Sequence, residues 1–292
     1  MSKSSYNVKD LYKEFNKMDG EFGVTKQGNG TVEHIYGTIR NYCPHNRRSD
    51  GIGTCYDYHE KATSGVINLV EKLIKYGLDY DKLAEYAILF LSYKLYQNPE
   101  YSGRKLNDIY TKNIETNKYY NNKIKDNGLT CKEIINRKKD LMNMNINEIS
   151  KFNGLFSILC KLYNGINKSS LDCKNGSNDA NEFVKNFKEL NNDSNINGNT
   201  SYIKLLSTLS NDYDNFKIYF AEKCNDCNDL PTLPKVKTPP SKLIPALSVF
   251  SVIPVFLGIA YKYSLFGVDK LFQRQYLRKK LKKVKKKLKL NI

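Results

Sequence analysis

Near the C-terminus, Leu243 to Tyr261 (LIPALSVFSVIPVFLGIAY) is a run of nineteen residues without a single charge. A bilayer core about 30 Å thick is crossed by roughly 20 apolar residues in a helix. Behind the run comes a tail, Lys262 to Ile292, with twelve Lys or Arg and one acid, Asp269. An excess of Lys and Arg marks the side of a span that stays cytoplasmic. The pattern predicts one transmembrane helix over 243–266, bent at Pro245 and Pro254, and a basic cytoplasmic tail over 267–292. Everything upstream is then expected to be held against the opposite face of a membrane.

That anchor changes how the composition is read. The tail supplies a net +11 of the chain's +17, leaving +6 for residues 1–261. The high pI therefore describes the tail, and it gives no argument for nucleic-acid binding. The N-terminus, MSKSSYNVKDLYKEFNKMDGEFG, has no uninterrupted apolar core of the kind a secretory signal peptide needs. Translocation of the upstream part would then depend on the C-terminal span or on a separate route. A tail-anchored arrangement, with the large domain facing the cytosol and organising membranes or trafficking, is the alternative.

Upstream of the span the apolar pattern has a helical period. Leu11, Phe15 and Met18 form one stripe between Lys9 and Met18. Val66, Leu69, Val70, Leu73 and Ile74 follow i, i+3, i+4, i+7, i+8 spacing, and Gly77 ends that helix. A partner from about Asp79 to Gln97 buries Leu83, Ala87, Phe90, Leu91 and Leu95, and Asn98-Pro99 stops it. These two are expected to form an antiparallel hairpin at the centre of the domain. A polar helix is expected near Leu106 to Ile124. Thr130 and Glu133 read as a capping box opening a helix to about Met144. Further helices follow from Asn147 to Tyr163, around Phe183, Val184, Phe187 and Leu190, and from Ile203 to Phe220. Gly20–Gly53, Asn164–Asp179 and Asn191–Thr200 read as loops. Leu230 to Pro240, LPTLPKVKTPP, reads as an extended spacer. The reading is all-α: an irregular helical bundle over 1–229, a Pro-rich stalk over 230–242, the membrane helix and the tail.

The candidate chemistry is sparse. Cys43, His45, Cys55 and His59 lie within seventeen residues, and Cys and His are zinc ligands. The spacing fits no common finger, and a Cys43–Cys55 disulfide across a glycine-rich loop explains it more simply. Cys224-Asn-Asp-Cys227 has the C-x-x-C form, but it follows a helix instead of opening one after a strand, so a structural role is favoured over a lumenal redox enzyme. The two sulfurs either bond each other or bond partners elsewhere. Seven cysteines point to an oxidising compartment. Cys43, Cys55, Cys160, Cys173, Cys224 and Cys227 are taken as the bridged set. No Walker loop, dinucleotide-binding glycine motif, H-E-x-x-H or acidic metal cluster occurs. No catalytic, cofactor-binding or metal residue is therefore expected, and no enzyme activity, small-molecule substrate or nucleic-acid partner. Five N-glycosylation sequons, at Asn29, Asn167, Asn175, Asn192 and Asn199, fall in expected loops.

In the tail, Leu277, Leu281, Val284 and Leu288 repeat at four, three and four residues, a narrow apolar seam on a helix covered by lysine. Such a seam suits a helix lying on anionic lipid. Arg278, Lys279, Lys280, Lys282, Lys283, Lys285, Lys286 and Lys287 are its lipid-facing cations.

Several stretches also carry a family resemblance. They are LGIAYKYSLFGVDKLFQRQYLRKKLKKVKKKLKLNI from Leu257, KKDLMNMNINEISKF from Lys138 to Phe152, ANEFVKNFKELN from Ala180 to Asn191, and TLSNDYDNFK from Thr208 to Lys217. Lying in the same order along the chain, they resemble the Plasmodium interspersed repeat (PIR) proteins of rodent malaria parasites, the Cir/Yir/Bir type, over roughly residues 60–292. The resemblance implies a variant multigene-family antigen of the blood stage, exported to the infected red cell or its surface. It implies a helical ectodomain, a span near the C-terminus and a short basic cytoplasmic tail. Immune evasion and adhesion to an unidentified host protein are the implied roles, and no catalytic residue is carried over. Many members lack a signal peptide. The cysteines resemble the family's disulfide set, with the pairing left open.

Overall fold

The first helix stops where a lysine from a distant helix takes hold of its end. Helix α1 (Val8–Glu21) is opened by Asn7, whose side chain accepts from the Lys9 amide. At its other end, Lys94 Nζ donates to the Asp19 carbonyl at 3.1 Å, the Asp19 carboxylate at 2.6 Å and the Phe22 carbonyl at 2.7 Å. The last carbonyls of a helix lack intrahelical partners and carry the negative end of its dipole, so a cation there satisfies both.

This computed structural model describes residues 6–28, 30–100, 105–124, 128–165, 171–224, 230–237 and 274–286. The expected membrane span at 243–266 lies outside the described residues. Among those described, no helix is long and apolar enough to cross a membrane. The chain divides into two units, Met1–Pro239 and Pro240–Ile292.

In the first unit, α1 leads into a two-stranded antiparallel hairpin, β1 (Phe22–Gln27) and β2 (Gly30–Ile35), with Phe22 paired to Ile35. A 3-10 turn, Gly37–Tyr42, follows. Helix α2 (Tyr58–Leu73), capped by Asp57, runs through a 3-10 turn to Gly77, and α3 (Tyr80–Gln97) is capped by Asp79. The two pack together as the expected hairpin. Two short helices follow, α4 (Leu106–Ile109) and α5 (Cys131–Asn136), and the latter carries the complete Thr130/Glu133 capping box. Then come α6 (Ile146–Gly165), α7 (Leu171–Asn192), the single turn α8 (Ser194–Asn197) and α9 (Thr200–Lys223).

Helix α6 touches α1, α3, α7 and α9 and so forms the axis of the unit. Its aromatic stripe meets that of α1: Tyr12 stacks on Tyr163 at 4.6 Å and Phe15 meets Phe156 edge-on at 5.1 Å. Such pairs add about 0.5–1.5 kcal/mol each beyond area burial. A polar stitch joins α3 to α6, with Ser92 Oγ donating to Asn153 Oδ1 at 2.7 Å and Asn153 Nδ2 donating to the Ser92 carbonyl at 3.2 Å.

Several boundaries differ from expectation. The glycine-rich stretch after α1 contains the β-hairpin, where only loop was expected. Its strands are mostly exposed beyond Val24, so they carry no apolar alternation to betray them. The polar helix expected over Leu106–Ile124 is broken into α4, a π turn at Tyr110–Ile114 and a 3-10 turn at Lys118–Asn121. The helix from Thr130 ends at Asn136, and a 3-10 turn takes over at Lys139–Asn143. Helix α7 begins at Leu171, well inside the expected loop, because the Asn-rich turns from Cys173 to Asp179 bury Cys173 and Ala180 on one face.

The Pro-rich segment is also more than a spacer. Residues 230–237 have neither helix nor strand, yet Leu230 is buried and Leu233 and Val236 pack on the core. A three-residue repeat matches the turn of a polyproline-II chain, which places these three side chains on one side. Asn191 clamps the C-terminal end of the segment, donating from Nδ2 to the Lys235 carbonyl and accepting from the Lys237 amide.

The Lys94 contacts yield a test. Lys94→Met removes the ammonium and strands two carbonyls, while Asp19 keeps part of its hydration. We expect a loss of about 2–3 kcal/mol, read by urea unfolding with far-UV circular dichroism, whereas Lys13→Met, at an exposed α1 pair, changes stability by less than about 0.5 kcal/mol.

Candidate functional site

Two adjacent residues near the start of α2, Glu60 and Lys61, tie down the most exposed structure of the first unit. Glu60 accepts from the Tyr56 amide at 2.6 Å and meets His45 Nε2 at 2.7 Å, fixing the Cys43–Cys55 loop. Lys61 donates to Glu33 of β2 at 2.5 Å, fixing the hairpin. The loop is further closed by a His45–Thr54 backbone bridge. Gly53 is needed there, because a Cβ would fall 2.2 Å from the Cys43 carbonyl oxygen. On this framework Tyr36 and Tyr56 stand out, 63% and 62% exposed. Each is backed by a histidine, Tyr36 by His34 at 5.3 Å and Tyr56 by His45 at 4.1 Å. Arg47 lies 4.7 Å over Tyr119, beside the same loop. Rigid, half-covered tyrosines are what protein-binding surfaces favour, since little side-chain freedom is lost on contact.

The four candidate zinc ligands do not assemble. Cys43 and Cys55 are bonded to each other, His45 is engaged with Glu60 and Tyr56, and His59 is buried in α2. Among the described residues no group of three or more His, Cys, Asp or Glu is arranged to hold a metal ion.

The second disulfide joins Cys173, in the first turn of α7, to Cys224, the C-cap of α9. Cys224 is therefore not bonded to Cys227, which lies outside the described residues. Cys160, expected in the bridged set, is instead a free, buried thiol on α6, as is Cys131 on α5. Burial pushes both thiols well up from the ordinary cysteine value. The C-x-x-C pattern thus marks a helix end stapled to a neighbouring helix.

The strongest electrostatic feature of the interior is one that the sequence reading passed over. Asp212 of α9 is fully buried and accepts from Tyr12 of α1 and Tyr86 of α3, each at 2.9 Å. Burial pushes its carboxyl up to about 7, against the two hydroxyl donors and Lys82, which pull it down, while Glu85 adds to the rise. Nearby, Glu85 holds Lys138 at 2.9 Å and accepts from Thr208 at 2.6 Å. The signal was available: Leu205, Leu209, Asp212 and Phe216 share one helical face, so an acid sits on an apolar stripe.

Two cavities open on the first unit. One of about 600 Å³ is lined by Ile74, Leu78, Tyr80, Asp81 and Arg137, and one of about 380 Å³ by Tyr6, Tyr163, Ile218, Tyr219 and Lys223. Of the sequons, Asn199 is engaged as the cap of α9, accepting from the Ser201 and Tyr202 amides, and Asn175 and Asn192 lie exposed on α7. Asn29 and Asn167 lie outside the described residues.

In the second unit, residues 274–286 form a helix, α10, in which every residue is exposed. It carries all the predicted tail cations except Lys287, which lies outside the described residues.

The profile of the family described as Plasmodium variant antigen protein Cir/Yir/Bir matches residues 12–262. The fold is similar to a solved structure titled "Structure of a Plasmodium PIR protein ectodomain", at 29% identity and a TM-score of 0.55, covering 79% of this chain and 99% of that one. A search of the curated proteins finds no match.

The site geometry gives two expectations. Between pH about 4 and 7 the folded chain keeps a proton on Asp212 that the unfolded chain releases, so stability falls as pH rises through that window and levels off above it. The full change is on the order of 4 kcal/mol, and Asp212→Asn flattens the slope in denaturant titrations at stepped pH. The Cys173–Cys224 bridge spans 51 residues and Cys43–Cys55 spans 12. Loop-closure entropy then makes Cys224→Ser cost about 4 kcal/mol and Cys43→Ser about 3, an order that non-reducing thermal melts of the two variants will check.

Proposed function

Since the chain belongs to the Plasmodium Cir/Yir/Bir variant antigen family, we propose that it is a non-enzymatic, membrane-anchored antigen. In this reading the helical ectodomain is presented outside the parasite or infected cell, where it binds a host factor and serves immune evasion. The apolar run Leu243–Tyr261 is its anchor and the basic residues behind it stay cytoplasmic.

The observation that carries this reading is the pair of disulfides. Cys43–Cys55 and Cys173–Cys224 both lie upstream of the uncharged run. Structural disulfides persist in oxidising compartments and are rare in a reducing cytosol. They therefore favour an ectodomain across the membrane from the cytosol over a tail-anchored domain facing it. Tyr36 and Tyr56, each exposed and backed by a histidine, are the side chains best suited to a protein partner.

Topology is the deciding measurement. In intact infected cells expressing the chain with an epitope tag near residue 1, external protease is expected to remove the tag without lysis. A tag protected until the cell and vacuole membranes are opened would overturn the surface reading and leave the cytosol-facing alternative.

A further inference from the structure

Helix α10 is a structure that water alone disfavours. It carries eight cations and no acid, and Arg274–Arg278, Arg278–Lys282, Lys279–Lys283 and Lys282–Lys286 place like charges at i, i+4, where they repel. Against that, Leu277, Leu281 and Val284 align on one face while remaining 56%, 60% and 52% exposed. An apolar seam inside a shell of uncompensated cations calls for an occupant that is apolar beneath and anionic at its rim.

We propose that α10 is an in-plane docking helix for an anionic lipid surface. Leu277, Leu281 and Val284 enter the headgroup–acyl boundary, and the cations flanking them hold the headgroups. This deepens the membrane-anchored reading and rests on it. Arg274 lies thirteen residues beyond Tyr261, and that length of chain reaches at most about 45 Å. A span over 243–266 therefore keeps α10 within that reach of the bilayer surface. A second copy of the helix does not fit, because it would bring eight more cations and no acid.

The wheel assigns roles. At about 100° per residue, Arg274, Arg278 and Lys285 border the seam on one side and Lys280 on the other, while Lys279, Lys282 and Lys286 lie across the helix from it. The long stems of the bordering residues run beside the seam with their charges lifted to headgroup level. The opposite three stay in water.

The chain contains no tryptophan, so single-tryptophan variants report directly. The full chain is reconstituted in phosphatidylcholine vesicles with and without about one-third phosphatidylserine. For Leu281→Trp we expect blue-shifted emission, quenched by brominated lipid, only in the anionic vesicles; Lys279→Trp stays water-like. In the Leu281→Trp background, replacing Arg278, Lys280 and Lys285 by Gln weakens docking about a hundredfold, at about fivefold per cation. Replacing Lys279, Lys282 and Lys286 by Gln removes the same charge and weakens it at least tenfold less. Water-like emission from Leu281→Trp in anionic vesicles overturns the proposal and leaves the seam to a protein partner. Equal shifts at positions 281 and 279, or equal losses for the two triple variants, overturn the in-plane geometry. Alkaline carbonate separates the two readings. A chain that it extracts has no anchor, whereas a resistant chain with a water-like Leu281→Trp sinks only the docking.

Discussion

Burying one ammonium group, that of Lys94, organises the first third of the fold. An ammonium taken out of water is costly, and burial lowers the Lys94 pKa from its ordinary value even with Asp19 beside it. What offsets the cost is the end of α1, with two carbonyls and a carboxylate held in one place. The chain therefore leaves the helix at Glu21 and turns Phe22 into the core, within 6.2 Å of both Tyr58 and Phe90. The hairpin projects from that point and returns at Ile35, and the disulfide loop follows. The exposed Tyr36 at the end of the hairpin is thus placed by a residue nearly sixty positions downstream of it.

Asp212 does the complementary work nearer the N-terminal end of α1. Tyr12 reaches it from α1 and Tyr86 from α3, so one carboxyl joins three helices that no short loop connects. With Lys94 it fixes α1 at two points, one on each side of the Phe15 aromatic cluster. A helix held that way cannot slide along α6, and the hairpin that follows it inherits a defined position.

The long periodic helices were legible because they bury an apolar stripe. Leu11, Phe15 and Met18, and likewise Val66 to Leu73, follow their spacing into the core, and local caps at Asp57, Asp79 and Thr130 set the starts. What stayed hidden depends on partners distant in sequence. The hairpin has exposed strands, and its turn at Gly28, with φ of +59°, is a weak signal amid many glycines. Lys94 and Asp212 sit on apolar stripes as charged exceptions, and only the fold shows what each one meets. Disulfide pairing depends on which helix ends converge. C-x-x-C at the end of α9 said nothing of Cys173, whose helix begins in a stretch rich enough in Asn and Ser to read as loop.

The tyrosines explain how such a scaffold can underlie a variant family. The chain has twenty-two and no tryptophan. Tyr58 donates to the Lys94 carbonyl, Tyr120 to the Thr63 carbonyl, Tyr163 to the Asp212 carbonyl and Tyr213 to the Pro231 carbonyl. Each ring fills core volume, and each hydroxyl meets a backbone acceptor that exists whatever side chain the accepting residue bears. Further ties are the disulfides, the helix caps, and buried polar groups such as Lys94, Asp212, Glu85 and Lys138. None of them involves Thr25 to Gln27 at the hairpin tip or Asn46 and Ser49 in the disulfide loop, whose side chains face solvent. Substitution there changes the exposed surface without removing a core contact, so that surface is free to diverge while the bundle beneath it keeps its register.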